Sequence, residues 1–217
     1  PLFIAGPMAP GKTMTEAEAK AALAASGVTV PRSYRADGAS DAAAAASELG
    51  FPVVLKAEGV AHKTDIGGVA LDLPDGAAVM AAADVMPASG FLVEEMVTGV
   101  VCELLIGVVH DPAHGFVLTL AAGGTLTEVM SDSVSLLVPS SDASIDAALS
   151  RLRIAPLIDG YRGATPASRR AIVEAVLAVQ SYVCAHAPYE VEINPLLCTP
   201  DRAIAADALI ITGASHD

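Results

Sequence analysis

The chain has no tryptophan, only four phenylalanines and four tyrosines, and few cations: 12 Lys and Arg face 25 Asp and Glu, for a formal net charge of −13. Affinity for nucleic acid rests on basic residues that neutralise phosphates and on aromatic rings that stack bases. This composition supplies neither, so nucleic acid is excluded as the main partner. Cysteine is scarce too. Cys102, Cys184 and Cys198 are odd in number and lack C-x-x-C spacing, which reads as reduced thiols in a cytoplasmic protein and not as a disulfide framework. No apolar run reaches the roughly 18–20 residues of a spanning helix, so no membrane partner is expected. The first residues also lack a basic stretch followed by a long apolar block, and no secretory leader is expected.

What is plentiful is alanine. Hydrophobic residues make up 53% of the chain and charged ones 17%, the balance of a globular protein. At 217 residues the chain is long enough for one large domain or two lobes with separate cores.

Periodicity and capping signals predict helices over Thr15–Ser26, Ser40–Leu49, Asp75–Val85, Asp142–Leu152 and Pro166–His186. Strand-like runs are Pro52–Ala57, Gly68–Leu73, Phe91–Met96, Val101–Val109, Phe116–Ala121, Val134–Val138, Tyr189–Ile193 and Ala203–Ile210. Several neighbouring strands are joined by short turns with no helix between them, which implies antiparallel pairing. The order is that of an α+β fold in two lobes, without the strict alternation of a doubly wound sheet.

One motif is conspicuous. "GPMAPGKT" (Gly6–Thr13) matches the phosphate-loop pattern G-x-x-x-x-G-K-[ST] letter for letter. Such a loop works by aiming backbone N–H groups at phosphates while Gly-Lys-Thr opens a helix. Here Pro7 and Pro10 have no N–H to offer. Thr15-x-x-Glu18 is a capping box that starts the helix at Thr15 and leaves Lys12 and Thr13 outside it. The motif reads as a decoy in a tail that leads to a capped helix.

The last strands carry more chemistry. "TPDR" (Thr199–Arg202) is a turn sequence with Pro at its second position. If it closes a hairpin, Cys198 faces Ala203 and, further out, Asn194 faces Asp207. Directly opposed side chains lie about 4.5–5.5 Å apart at Cβ. Glu192, two residues before Asn194, projects from the same face. Two carboxylates and an amide in one patch suit Mg²⁺, which takes oxygen ligands and completes its shell with water and phosphate oxygens. A solvated acidic face is the plainer alternative, and Pro195 within the strand marks a free or irregular edge.

A second stretch is "PVVLKAEGVAHKTDIGGVALDL". Lys56 ends an apolar strand, as a snorkelling edge cation or as a phosphate ligand on a rigid support. His62 and Lys63 follow in a loop bounded by Gly59 and by Gly67 and Gly68. Glycine lets a backbone approach phosphate oxygens closely. A histidine there is either a solvated surface residue or a nucleophile, acid or base. Glu94, Glu95 and Glu103 lie on two consecutive strands. Glu95 reads as an exposed face residue, whereas Glu94 and Glu103 could accept hydrogen bonds from an adenine amine or ribose hydroxyls.

In this order the pieces resemble the ATP-grasp domain of the NDP-forming acyl-CoA synthetases, the superfamily that includes ADP-forming acetate–CoA ligase and succinyl-CoA synthetase. The similarity runs from about Thr15 to Ile211 through "TEAEAKAALAASGVTVP", "GFPVVLKA", "AHKTDIGGVAL", "FLVEEMV", "CELLIGVVHDPAHGFVLTLAAGGTLTE", "PLIDGYRG" and "VEINPLL…AADALI". The histidine in "AHKTD" points to the acetate–CoA ligase branch.

The resemblance implies an ATP-grasp fold with two α+β lobes clasping ATP. Residues 1–14 would be a tail and 15–212 a single domain. Its smaller lobe would run roughly over 28–96, and its larger lobe over 97–212 plus the 15–27 helix. It makes Lys56 a phosphate ligand and the Lys63–Gly68 loop, with Gly67, a cover over the phosphates. It sets Glu94 and the backbone near Val97 against adenine, and Glu103 on the ribose side. Asn194 and Asp207 would bind Mg²⁺ with Glu192 beside them as a catalytic group. His62 matches a phosphohistidine that carries the phosphoryl group to a partner. Glu128 and Arg162 match motif positions that would contact a partner or phosphate.

The implied function is the ATP-binding, or beta, part of an ADP-forming acid–CoA ligase. It would use ATP/ADP and Mg²⁺ and need a CoA-binding alpha subunit or fused domain, as a hetero-oligomer. Two other readings stay open: a stand-alone ATP-grasp ligase joining a carboxylate to an amine, and a non-catalytic nucleotide-binding regulatory module.

Overall fold

Thr15 starts the first helix by a reciprocal cap. Its Oγ1 accepts the Glu18 amide at 3.3 Å, and Glu18 Oε2 accepts the Thr15 amide at 2.8 Å, satisfying two amides that the helix cannot. The helix, α1, runs Glu16–Ala25. This is a computed structural model, and it describes residues 8–59, 67–124 and 132–214.

The chain divides into two units, one of Pro1–Val30 with Gly99–Asp217 and the other of Pro31–Thr98. The smaller contains β2 (Ser33–Asp37), α2 (Ala39–Leu49), β3 (Val53–Ala57), β4 (Val69–Leu73), α3 (Gly76–Val85) and β5 (Gly90–Glu95). Its sheet has the order β2-β5-β3-β4 with every pairing antiparallel. Period-2 alternation splits the side chains of β3 and β5 between two faces. Val53, Leu55, Phe91 and Val93 join Ala42, Ala46 and Leu49 of α2 and Val79 and Ala83 of α3 in one core. The alanines keep α2 thin enough to lie close to the sheet. Val54, Lys56, Leu92 and Glu94 fall on the other face and are also buried.

The larger unit is built on β6 (Cys102–Asp111), β7 (Gly115–Ala122), β8 (Ser133–Leu137), β9 (Glu190–Cys198), β10 (Ala203–Ala205), β11 (Ala208–Gly213) and β1 (Pro10–Thr13). Its sheet runs β1-β11-β9-β6-β7-β8, with β10 also paired to β9. Helices α4 (Asp142–Leu149), α5 (Ala155–Ile158) and α6 (Arg169–His186) follow β8, with a 3₁₀ turn at Tyr161–Gly163. Leu104, Ile106 and Val108 of β6 and Leu118 and Leu120 of β7 pack with Ile145, Leu149, Ile172, Val176 and Val179. Burying each such side chain contributes about 1.5–3 kcal/mol. Glu103 and Gly107 of β6, and Glu190, Glu192 and Asn194 of β9, occupy the alternate, less buried positions.

The mixed α/β composition and antiparallel pairing are those expected. Three details differ. Residues 10–13 form an edge strand where the sequence reads as a tail. The amide of Lys12 donates to Thr212 Oγ1 at 3.0 Å, and Thr212 Oγ1 donates back to the Lys12 carbonyl at 3.2 Å. The Lys12 backbone is thus engaged with Thr212 of β11, and Gly6 and Pro7 of the motif lie outside the described residues. The segment Ser33–Asp37, unassigned from the sequence, pairs with β5 although four of its five residues are exposed. The expected strand Ala203–Ile210 is broken at Ala206 and Asp207.

Candidate functional site

The hairpin pairing derived from the TPDR turn is the pairing found. Thr199 anchors the turn: its Oγ1 accepts the Arg202 amide at 3.0 Å, and its own amide donates to the Arg202 carbonyl at 2.8 Å. Cys198 pairs with Ala203, Leu196 with Ala205, Ile193 with Ala208 and Glu192 with Leu209. Between these runs, the Asn194 amide donates to the Asp207 carbonyl at 3.3 Å and the Ala206 amide to the Pro195 carbonyl at 3.0 Å. Opposite β6 the same place is a bulge. Leu104 pairs with Leu196 but Ile106 with Ile193, so β9 carries one extra residue at Asn194–Pro195. A bulge of this kind re-aims a side chain, and the irregularity expected from Pro195 is this one.

Glu192, Asn194 and Asp207 are each half-buried and converge. Asn194 Oδ1 accepts the Gly124 amide at 3.0 Å, and the Asn194 side chain also hydrogen-bonds Glu192. Asp207 Oδ1 accepts the Ala208 amide at 2.8 Å. Burial raises the Glu192 pKa above its ordinary value, the charges of Glu190 and Asp207 raise it further, and the bond from Asn194 opposes them. Gly107 lies directly opposite Glu192 on β6, so no side chain from that position fills the space beside the carboxylate.

Glu103 joins the same patch through a glycine pair. Gly123 and Gly124 follow β7, and the Gly123 amide donates to the Glu103 carbonyl at 2.9 Å. A Cβ on Gly123 would run into the Leu104 backbone, and one on Gly124 into Glu103 Oε2; Gly124 also has φ +61°. Only glycine allows this approach. Glu103 and Gly123 line a cavity of about 390 Å³ together with Val100, Val101, Cys102, Ile154 and Leu157. Gly124 was missed by sequence reasoning. The doublet in "AAGGTLTE" was its only signal, and nothing local ties it to Asn194.

In the smaller unit Lys56 and Glu94 lie on adjacent strands, with Val54 opposite Glu94 and Lys56 opposite Leu92. They are therefore diagonal neighbours on one face, and Lys56 Nζ meets Glu94 Oε2 at 2.9 Å with both side chains buried. Val97 is buried just beyond β5. Gly67 has φ +72°, and the Gly68 carbonyl accepts the Ala57 amide at 2.8 Å, so the glycine pair returns the chain to the lysine strand. Glu95, expected on an exposed face, is instead half-buried and pairs with Arg32 at 2.6 Å. Arg162 is exposed, has φ 54° and lies 5.1 Å from the Tyr161 ring centroid. His62, Lys63 and Glu128 lie outside the described residues.

The donor set fits a hard cation. Its oxygens come from two carboxylates and an amide, and a divalent ion would offset both the burial that chiefly raises the Glu192 pKa and the carboxylate repulsion that adds to it. Among the described residues no group of three or more His, Cys, Asp or Glu could hold a metal alone.

Antiparallel sheets, a strand-borne buried lysine and an oxygen-lined patch define a class: residues 8–212 match the model of the ATP-grasp domain, and the chain belongs to that family. The chain is 32% identical over 228 residues to a trans-feruloyl-CoA synthase, FCS1, from an unknown prokaryotic organism, covering 97% of this chain and 32% of that protein. It thus spans about a third of that relative's length. It is 27% identical to the beta subunit of acetate–CoA ligase [ADP-forming] I from Pyrococcus furiosus, covering 94% of this chain and 93% of that subunit. Among solved structures it is similar to acetyl-coenzyme A synthetase 1 of Candidatus Korarchaeum cryptofilum, in complex with coenzyme A and Ca-AMPCP. The TM-score is 0.84 at 28% identity, over 93% of each chain. A second structure of that enzyme, with coenzyme A and Mg-AMPPCP, has its phosphohistidine segment pointing towards the nucleotide-binding site; its TM-score is 0.78 at 26% identity, again over 93% of each chain. No helix among the described residues is long and apolar enough to cross a membrane.

Proposed function

We propose that this chain is the ATP-grasp, or beta, part of an ADP-forming acid–CoA ligase, and that it passes a phosphoryl group between Mg-ATP and a CoA-binding subunit or fused domain through His62. The observation that carries the reading is the convergence of Glu192, Asn194 and Asp207 on the bulged hairpin, with Gly124 fixing the amide. The beta-subunit relative and the nucleotide-bound structures of the Korarchaeum enzyme support it.

Asn194 and Asp207 hold Mg²⁺, and Glu192 stands beside them as a catalytic carboxylate. Glu103 accepts from the ribose side. Lys56 offsets phosphate charge, and its contact with Glu94 aims the ammonium and limits its motion. Glu94 and the backbone at Val97 serve the adenine end. Lys63, Gly67 and Gly68 belong to the segment that covers the phosphates, and Glu128 and Arg162 meet phosphate or partner. When bound, Mg-ATP supplies the γ-phosphoryl group, and transfer is mainly a matter of position and charge. His62 accepts that group on an imidazole nitrogen as ADP leaves, then delivers it to the partner. Acyl selectivity resides with the CoA-binding part.

The test is incubation with γ-labelled ATP and Mg²⁺, with and without a CoA-binding partner. Acid-labile label on the chain, lost in His62→Ala, is expected. Nucleotide binding with no label in any combination, or label that survives His62→Ala, overturns the proposal.

A further inference from the structure

Two of the three cysteines face one another. Cys102, the first residue of β6, pairs directly with Cys198, the last of β9, and opposed residues of antiparallel strands project to the same side. Both thiols are free and buried, and they lie within hydrogen-bonding reach of one another. Opposed positions in an antiparallel pair have Cα atoms about 4.5–5.5 Å apart, inside the range of about 4.4–6.8 Å that a disulfide spans. The register thus meets the distance requirement of a disulfide.

The two thiols are not equivalent. Cys102 borders the cavity of about 390 Å³ beside Glu103 and Gly123 and is 8% exposed, so it is the member of the pair that a small molecule in that space approaches. Cys198 is fully buried at 0% exposure, and its Sγ also lies 3.5 Å from the Leu196 carbonyl. The hydrogen bond from Cys198 lowers the Cys102 pKa below its ordinary value, while burial and the Glu103 charge act against it. The Cys198 thiol is pushed up, first by its bond to Cys102 and then by burial. By exposure, Cys102 is the thiol an oxidant meets first, and Cys198 is the one placed to resolve it. The neighbouring carboxylate opposes the thiolate, so the reaction is slower than at a dedicated electropositive cysteine.

We propose that Cys102 and Cys198 are a peroxide-responsive dithiol that closes to a cross-strand disulfide. The Cys102 thiolate attacks one oxygen of a hydroperoxide; the O–O bond breaks, the sulfur becomes a sulfenic acid, and hydroxide or alkoxide leaves and takes up a proton. The Cys198 thiol then attacks the sulfenic sulfur, the S–S bond forms, and the hydroxyl departs with the Cys198 proton as water. Two thiols are oxidised by one peroxide, and a small dithiol reductant reverses the change. The pair borders the cavity that Glu103 shares with the nucleotide reading, but its test reads thiols and not nucleotide binding.

The test uses the full chain carrying Cys184→Ser, which removes the remaining thiol. After hydrogen peroxide treatment and alkylation, intact mass is expected to fall by two hydrogens with no alkylation. A non-reducing digest should join the Cys102 and Cys198 peptides, and dithiothreitol should restore both thiols. In Cys198→Ala the reaction should stop at a dimedone-trapped sulfenic acid on Cys102. Overoxidation of Cys102 without a bridge, or two thiols still alkylated after folded protein has met excess peroxide, overturns the proposal. Both readouts come from the Cys184→Ser protein and do not need the Cys198 variant to fold.

Discussion

The Gly124 amide donates to Asn194 Oδ1 at 3.0 Å, joining residues 70 positions apart in the chain. This bond turns the amide of a bulged strand toward its neighbouring carboxylates, and it exists because Gly124 has no side chain to meet Glu103.

Gly124→Ala should therefore damage both stability and site. The positive φ alone costs about 1–3 kcal/mol in a non-glycine residue, and the collision with Glu103 Oε2 adds to it. A lower denaturant midpoint and a loss of Mg²⁺-dependent nucleotide affinity are expected by chemical unfolding and titration calorimetry. Unchanged affinity would show that Asn194 needs no such anchor.

Lys56→Ala leaves Glu94 as a buried charge without its 2.9 Å partner. Removing one member of a buried pair costs about 3–5 kcal/mol. The double variant Lys56→Met with Glu94→Leu should recover much of that stability but none of the nucleotide affinity. Equilibrium unfolding of the single and double variants measures the first effect, and calorimetry the second.

Glu192 gives a pH signature. Its pKa is raised in the fold by burial, Glu190 and Asp207, so the folded state binds this proton more tightly than the unfolded state does. The resulting stabilisation is complete below the ordinary carboxyl range and is lost as pH rises through the raised value. Glu192→Gln should thus raise the melting temperature in metal-free buffer near neutrality, with the difference shrinking as pH falls through the carboxyl range. Mg²⁺ should stabilise the native protein more than the variant. Thermal melts across pH, with chelator and with Mg²⁺, read both effects.

Lys12 lies on an exposed edge strand, and its backbone is engaged with Thr212. Lys12→Ala should leave nucleotide affinity unchanged and shift stability by no more than about 0.5 kcal/mol. Gly11→Ala should instead loosen the edge, because its Cβ would come within 2.6 Å of Thr212 Oγ1 and 3.0 Å of the Gly213 carbonyl. A loss of affinity in Lys12→Ala matching that of Lys56→Ala would restore the phosphate-loop reading.

Local chemistry determined much of this protein from sequence alone. A Thr-Pro-Asp-Arg turn sets the register of everything paired across it, so Asn194 opposite Asp207 followed from counting. Thr15 and Glu18 likewise placed the first helix, because a cap is made by residues three apart. Tertiary structure decided the rest. The edge strand Pro10–Thr13 pairs with residues some 200 positions away, and a short polar segment carries no sign of such a partner. Lys56 with Glu94 and Cys102 with Cys198 join separate strands, and Gly124 with Asn194 joins the end of one strand to another. Such contacts depend on which strands become neighbours and on where a bulge shifts their phase, a choice made by burying a shared core and not by the residues beside each position.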